Sequence, residues 1–153
     1  MGSAATRAAV DAAVEAIASA RATRGTTWAR LAELLGKPPV WTVAALQGQH
    51  PLDAAELAVI AEELGIAPEV LAPLQRHPTR GALDSSVPTD PTVYRLYEVL
   101  AVYGPAIKEL IHEQFGDGIM SAINFRLDVS RRPDPGGDRV VITLDGKFLP
   151  YQW

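Results

Sequence analysis

Arg95 and Glu98 are the first residues in this sequence whose types and spacing suggest chemistry. They stand three residues apart in YRLYE, within a segment of helical character, so both side chains fall on one face of a helix. One interpretation is an exposed ion pair that contributes roughly a few tenths of a kcal/mol. The other is an anion site, because arginine presents a planar fork of donors that fits carboxylate-shaped anions. Apolar and aromatic neighbours, among them Leu96 and Tyr97, predict partial burial of the pair, and a buried charge needs a partner or a ligand.

Ser121 is the second candidate. It lies in FGDGIMSAINF, residues 115–125, where two glycines flank Asp117 just before a predicted strand. A capping or turn role is common for serine in such a place. The alternative is a hydroxyl that is offered to a small ligand together with the backbone amides near Ala122. No histidine is close enough in sequence to predict a Ser–His nucleophile, and His112 is interpreted as an exposed helix residue.

The composition excludes several kinds of site. The 153 residues include no cysteine, which excludes disulfides, thiolate nucleophiles and cysteine-ligated metals and is compatible with the expected cytoplasmic location. The three histidines lack the spacing of a metal site, so no metal is predicted. No apolar run is long enough to cross a membrane, and charges interrupt residues 1–20, which are predicted to form a helix and not a signal peptide.

Residues 1–76 have the pattern of a compact helical bundle. Apolar residues recur at spacings of three and four, which predicts five short helices. The first carries Val10, Ala13, Val14 and Ile17 on one face, and the others cover about 27–35, 39–46, 53–64 and 68–74. Thr26 or Thr27 is predicted to cap the second helix, and Gly36 and Gly65 follow the second and fourth.

The bundle includes the shape of a helix-turn-helix, in TTWARLAELLGKPPVWTVAALQG. The chain would then be a DNA-binding transcriptional regulator with a C-terminal oligomerisation domain. Such a DNA-binding protein needs arginine or lysine to contact the phosphates and polar side chains to contact the base edges. Residues 38–75 contain no lysine or arginine and five acidic residues, so this surface would repel DNA. No nucleic-acid partner is predicted, and the bundle is interpreted as serving packing or subunit contact.

Residues 77–90 are rich in proline, serine and glycine and are predicted to be a linker. A third part, 91–153, follows. Asp90-Pro91 is a favoured helix start, and Gly104-Pro105 is predicted to close that helix and open a second one, which ends near Phe115.

The pattern then changes to a period of two. Apolar and polar residues alternate over 123–129, and a second apolar stretch covers 140–144. The intervening segment, RRPDPGGD, is rich in the proline, aspartate and glycine residues that favour turns, so the two strands are predicted to pair as a hairpin. Because an isolated two-stranded hairpin is marginal in water, the chain is predicted to oligomerise.

Three strings in this sequence closely resemble the cyanase family, also called cyanate hydratase or cyanate lyase. They are VPTDPTVYRLYEVLAVYG, IHEQFGDGIMSAINFRLDV and VITLDGKFLPYQW, and the resemblance extends through the helical front half. It implies a mainly α fold with a small α+β part, in which a DNA-binding-like bundle precedes two helices and a hairpin interlocked in a dimer. It also implies a homodecamer, a pentamer of dimers, with active sites between subunits.

The same resemblance implies the activity. Cyanases convert cyanate and bicarbonate into ammonia and carbon dioxide through carbamate, with no metal or organic cofactor. The catalytic arginine, glutamate and serine of the family correspond to Arg95, Glu98 and Ser121. Substrate binding is expected from Arg95, Ser121, Ala122 and Leu149. Leu149 and Trp153 are also expected at subunit contacts and pocket walls.

Overall fold

The computed structural model describes residues 4–78 and 88–152 of the chain. The described elements are α1 Ala4–Arg24, α2 Trp28–Leu35, α3 Pro39–Leu46, α4 Ala54–Leu64, α5 Pro68–Leu71, a 3₁₀ helix Ala72–Gln75, α6 Pro91–Phe115, β1 Gly118–Arg132 and β2 Arg139–Pro150. The predicted class, mainly helical with one small antiparallel sheet, is confirmed. No described helix combines the length and the apolar character that crossing a bilayer requires.

The ends of α2 and α4 are set by the residues at their caps. Thr27 is the N-cap of α2, and its hydroxyl accepts a hydrogen bond from a first-turn amide at 3.1 Å. Asp53 begins α4 with a capping box, in which its carboxylate accepts from the Glu56 amide and the Glu56 carboxylate accepts from the Asp53 amide. Gly36 and Gly65 end these helices at φ values of 62° and 64°, a left-handed conformation that glycine adopts at little cost.

The core of the chain lies inside the N-terminal bundle. Its buried apolar side chains are Ala13, Ile17, Leu31, Ala45, Leu46, Leu52, Leu57, Ile60, Ala61, Leu64, Leu71 and Leu74. The predicted inner face of α1 is confirmed, since Val10 and Val14 also pack against this cluster. The last predicted helix divides into α5 and the 3₁₀ helix, because Pro73 has no amide to continue the α-helical ladder.

The two helices predicted after the linker are a single helix. α6 runs for 25 residues with Pro105 inside it, so the prediction that Gly104-Pro105 ends one helix and opens another is wrong. A proline in a helix interior removes one backbone hydrogen bond and crowds the carbonyl four residues earlier, but α6 continues through it, and Gly104 does not adopt the positive φ that often ends a helix. The predicted cap is correct, because the Asp90 carboxylate accepts from two first-turn amides, each at 2.9 Å.

β1 and β2 pair as the predicted antiparallel hairpin, although both strands are longer than the alternating stretches of the sequence. The turn between them is held by Asp134, whose carboxylate accepts from the Gly136 amide at 2.9 Å. β1 also contacts α3 and α6, so the hairpin lies against the bundle and the long helix. Of the predicted linker, residues 79–87 lie outside the described residues, as does Trp153.

Candidate active site

Arg95 and Glu98 lie in the first half of α6 and form an ion pair. Arg95 Nη1 is 3.5 Å from Glu98 Oε2, and the guanidinium lies 5.6 Å from the centroid of the Tyr94 ring. The two side chains are 68% and 52% exposed, so the predicted partial burial is wrong for the single chain. Their apolar neighbours do not cover them, because none of the residues of α6 is itself buried.

The hydroxyl of Ser121, by contrast, is enclosed. The residue is 5% exposed, and its Oγ accepts hydrogen bonds from the amides of Ile123 at 3.1 Å and Asn124 at 3.0 Å. A serine hydroxyl has two acceptor lone pairs and one donor. Both acceptor positions are therefore occupied, and among residues 4–78 and 88–152 the O–H donates to no acceptor, so it is available to donate to an anion. The turn role and the ligand role that the sequence left open are compatible in this geometry.

An irregularity in the hairpin produces this arrangement. Met120 pairs with Phe148 and Phe125 pairs with Gly146, so four residues of β1 stand opposite a single residue of β2. The extra residues, 121–124, form a bulge in which amides lose their cross-strand acceptors, and the Ser121 oxygen takes two of them. The alternating pattern does not indicate this bulge, because alternation reports only the regular part of a strand.

The structure brings some of the predicted site residues to one end of the hairpin. Ser121, the exposed Ala122 and Leu149, which is 40% exposed and pairs with Ile119, lie there together. Arg95 is not among them. It is near the N-terminal end of α6, whereas Ser121 follows the C-terminal end, and the helix rises about 30 Å from Arg95 to Phe115. Within the described chain, Arg95 and Glu98 form no hydrogen bond or ion pair with Ser121.

Other titratable groups do not add to this set. His112 is half-buried and not exposed as predicted, and its Nδ1 lies 3.4 Å from Lys108 Nζ. Over residues 4–78 and 88–152, no group of three or more His, Asp or Glu side chains is placed to hold a metal ion.

Comparison with known proteins identifies the family. Residues 11–78 match a family model described as "Cyanate hydratase, N-terminal", and residues 85–153 match one described as "Cyanate lyase C-terminal domain". The chain belongs to the cyanate lyase family. Arg95, Glu98 and Ser121 all lie within the second matched segment.

Named cyanate hydratases resemble the chain over nearly its full length. The protein from Mycolicibacterium vanbaalenii is 58% identical over 143 residues, which cover 94% of this chain and 93% of that protein. The protein from Cupriavidus necator is 52% identical, with 89% and 92% covered. The crystal structure of cyanase from T. urticae superimposes with a TM-score of 0.78 at 38% identity, and the match covers 90% of this chain and 96% of that one.

The alternative of a DNA-binding regulator gains no support from the structure or from these cyanate lyase matches. Two of the basic residues near the helix-turn-helix segment are engaged with carboxylates. Arg30 lies 3.4 Å from Glu33 and 3.6 Å from Glu63, and Lys37 lies 3.7 Å from Glu56. Paired in this way, they leave little positive charge for a phosphate backbone.

Proposed function

We propose that this chain is a cyanate hydratase that decomposes cyanate with bicarbonate to ammonia and carbon dioxide by way of carbamate. The observation that carries the proposal is the match to a named cyanate hydratase at 58% identity over 94% of the chain. The chemistry of Arg95, Glu98 and Ser121, which lie in the motifs shared with the family, supports it.

Arg95 offsets the repulsion between the two substrates in this proposal. Cyanate and bicarbonate are both anions, and two unit charges 4 Å apart repel by about 1 kcal/mol in water and about 4 kcal/mol near a protein surface. A guanidinium neutralises part of that charge and holds a planar anion by paired hydrogen bonds. Glu98, 3.5 Å away on the same helix, orients the guanidinium and does not act as a base.

Ser121 supplies a hydrogen bond to one of the anions. Its lone pairs are occupied by the Ile123 and Asn124 amides, so it acts as a donor and takes up no proton. Ala122 is exposed beside it, and Leu149 provides an apolar wall at the same end of the hairpin. Catalysis then consists mainly of positioning and charge stabilisation.

The proposed reaction balances without an external oxidant or reductant. A bicarbonate oxygen attacks the cyanate carbon and forms a C–O bond, while the bicarbonate proton passes to the cyanate nitrogen. The bond between the bridging oxygen and the former bicarbonate carbon then breaks and releases carbon dioxide. A proton from solvent completes carbamate. Carbamate takes up one more proton and separates into ammonia and a second carbon dioxide. No step requires a metal or an organic cofactor.

The proposal includes a homodecamer built as a pentamer of dimers, in which chains interlock through their C-terminal parts. Two features support assembly. The chain exposes 11069 Å², whereas a compact monomer of its mass would expose about 7,500 Å². Large apolar side chains contribute to this exposed surface, as in Leu100 at 60% and Val102 at 63% exposure on α6. Large exposed apolar patches are typical of protein contacts.

Assembly would also complete the site. Arg95 lies near the N-terminal end of the long helix and Ser121 follows its C-terminal end, and within the described chain no hydrogen bond or ion pair joins them. We place the Arg95 of one copy beside the Ser121 of another, where the surrounding chains would remove water from the ion pair. A cytoplasmic location, where cyanate would be removed or used as nitrogen, is part of the same proposal.

The test is ammonia release from cyanate by the purified protein in carbon dioxide-depleted buffer, with and without added bicarbonate. We expect release that requires bicarbonate. Release that is independent of bicarbonate would contradict the two-anion reaction. No release under either condition, from a folded and assembled protein, would overturn the activity.

A further inference from the structure

Gly146 lies in the interior of β2 and forms no turn. It pairs with Phe125 at the end of the bulge, and its φ is not positive, so the backbone conformation does not require glycine. A glycine within a strand weakens the strand and often marks a place where another piece of backbone comes close. The reason for a glycine at position 146 is therefore steric.

The backbone that comes close is that of Ser121. A Cβ built on Gly146 would overlap the carbonyl oxygen of Ser121 and the Cγ of Met120, nearer than real Cβ atoms approach. The Met120 side chain can rotate away from such an overlap. The Ser121 carbonyl cannot, because it belongs to the bulge and moves only if the bulge moves.

We propose that Gly146 is a positioning residue that fixes the direction of the Ser121 hydroxyl, an inference that rests on the proposed function of Ser121 as a donor. The Ile123 and Asn124 amides lie 3.1 and 3.0 Å from Oγ and occupy both lone pairs, which leaves one direction for the O–H. A side chain at position 146 would displace the Ser121 backbone and break these bonds. The hydroxyl would then rotate and lose its alignment with the anion.

A double-mutant cycle on the assembled enzyme tests this. Gly146→Ala is expected to lower kcat about 10²-fold, the scale of losing one preorganised donor. Because Gly146 acts through Ser121, the double variant Ser121→Ala/Gly146→Ala should match the kcat of Ser121→Ala within about twofold. Losses that multiply would overturn the proposal, since a general structural defect is independent of the hydroxyl.

Two further variants control for folding. Gly136→Ala, in the hairpin turn, would place its Cβ 3.4 Å from Asp134 Oδ1 and meet nothing closer, so it should keep the wild-type kcat. If Gly146→Ala does not assemble, Met120→Ala/Gly146→Ala relieves the side-chain overlap and retains the overlap with the Ser121 carbonyl. Its kcat should remain about 10²-fold below that of Met120→Ala alone. Recovery of the kcat of the double variant to that of Met120→Ala would contradict the proposal.

Amide hydrogen exchange separates this proposal from the proposed function. Gly146→Ala and Ser121→Ala should each lose protection at the Ile123 and Asn124 amides, whether or not the protein turns over cyanate. Inactive wild-type protein whose amides respond in this way would overturn the function and retain the positioning by Gly146. Unchanged protection in Gly146→Ala would overturn the positioning.

Discussion

At the scale of single residues, Arg95 combines a fixed charge with a fixed shape. Its guanidinium carries a positive charge and presents its donors in one plane. In the single chain it is 68% exposed, where solvent weakens its field. In the proposed assembly, other chains would exclude water from this group, and it would then bind an anion more strongly because electrostatic interactions increase as the local dielectric falls.

Arg95→Lys keeps the charge and removes the planar fork. We expect kcat/KM for cyanate to fall about 10²-fold, because a point charge cannot hold two oxygens in one plane. The matched control is Arg126→Lys, since Arg126 lies on the hairpin surface 2.9 Å from Asp145 and has no assigned role in catalysis. Steady-state ammonia release measures both variants, and near-normal turnover by Arg95→Lys would refute the proposed role.

Ser121→Ala removes the donor and also leaves the Ile123 and Asn124 amides without their acceptor. We expect kcat to fall about 10²-fold and stability to fall by about 1–3 kcal/mol, while the assembly remains intact. Ser130→Ala, at an exposed position of the same strand, is the control and should change neither. Activity assays and light scattering give the two readouts. Loss of the assembly together with activity would show that Ser121 is structural.

The identities of the site residues could be predicted from the sequence, whereas their environment could not. The strings around Arg95, Glu98 and Ser121 are specific enough to suggest their roles without a structure. The exposure of the ion pair depends on what packs against α6, and the state of the hydroxyl depends on how β1 pairs with β2. Both are non-local, so a local pattern contains no information about them. For the same reason the sequence did not indicate Gly146.

At the scale of elements, the local signals were reliable where one residue decides a helix end. Thr27 and Asp90, both predicted as caps, do cap helices through hydrogen bonds that their side chains can make in any protein. The failure at Gly104-Pro105 has the opposite cause. In a helix interior a glycine costs about 1 kcal/mol and a proline about 3 kcal/mol, yet α6 continues through both over its 25 residues.

One buried polar atom in the bundle gives a test at this scale. Thr42 on α3 is fully buried, and its Oγ1 has no hydrogen-bond partner among the described residues. Thr42→Val keeps the shape and removes the unpaired hydroxyl, so we expect stability to rise by about 1 kcal/mol. Thr23→Val on α1 is the control, because that hydroxyl is exposed and donates to the Ser19 carbonyl at 3.0 Å.

The thermal midpoint at a fixed protein concentration measures both threonine variants, since assembly makes the midpoint depend on concentration. The stability of the Thr23→Val control should differ from that of the wild type by less than about 0.5 kcal/mol. A lower midpoint for Thr42→Val would mean that the hydroxyl has a partner in the assembled protein and would contradict the expectation.

At the scale of the whole molecule, the described chain has a core at one end and an uncovered surface at the other. The buried apolar cluster lies in the N-terminal bundle, whereas none of the residues of α6 is buried and Ile123 in the bulge is 97% exposed. The excess surface, about 3,500 Å² over a compact monomer, is of the size that obligate assemblies bury. The sequence predicted oligomerisation from the marginal hairpin, and the exposed long helix supports the same conclusion for a different reason.

Leu100→Glu places a charge in the exposed apolar face of α6, where Leu100 is 60% exposed. Burying that charge between chains without a partner is unfavourable, so light scattering should show species smaller than the wild-type assembly. Activity should fall in parallel if Arg95 and Ser121 of different copies form the site.

Val59→Glu is the control, since Val59 is 36% exposed on α4 near Glu62 and Glu63. This substitution should leave the size of the assembly unchanged. A Leu100→Glu variant of full size and full activity would exclude this face of α6 from the contact, and a monomeric wild type would contradict assembly altogether.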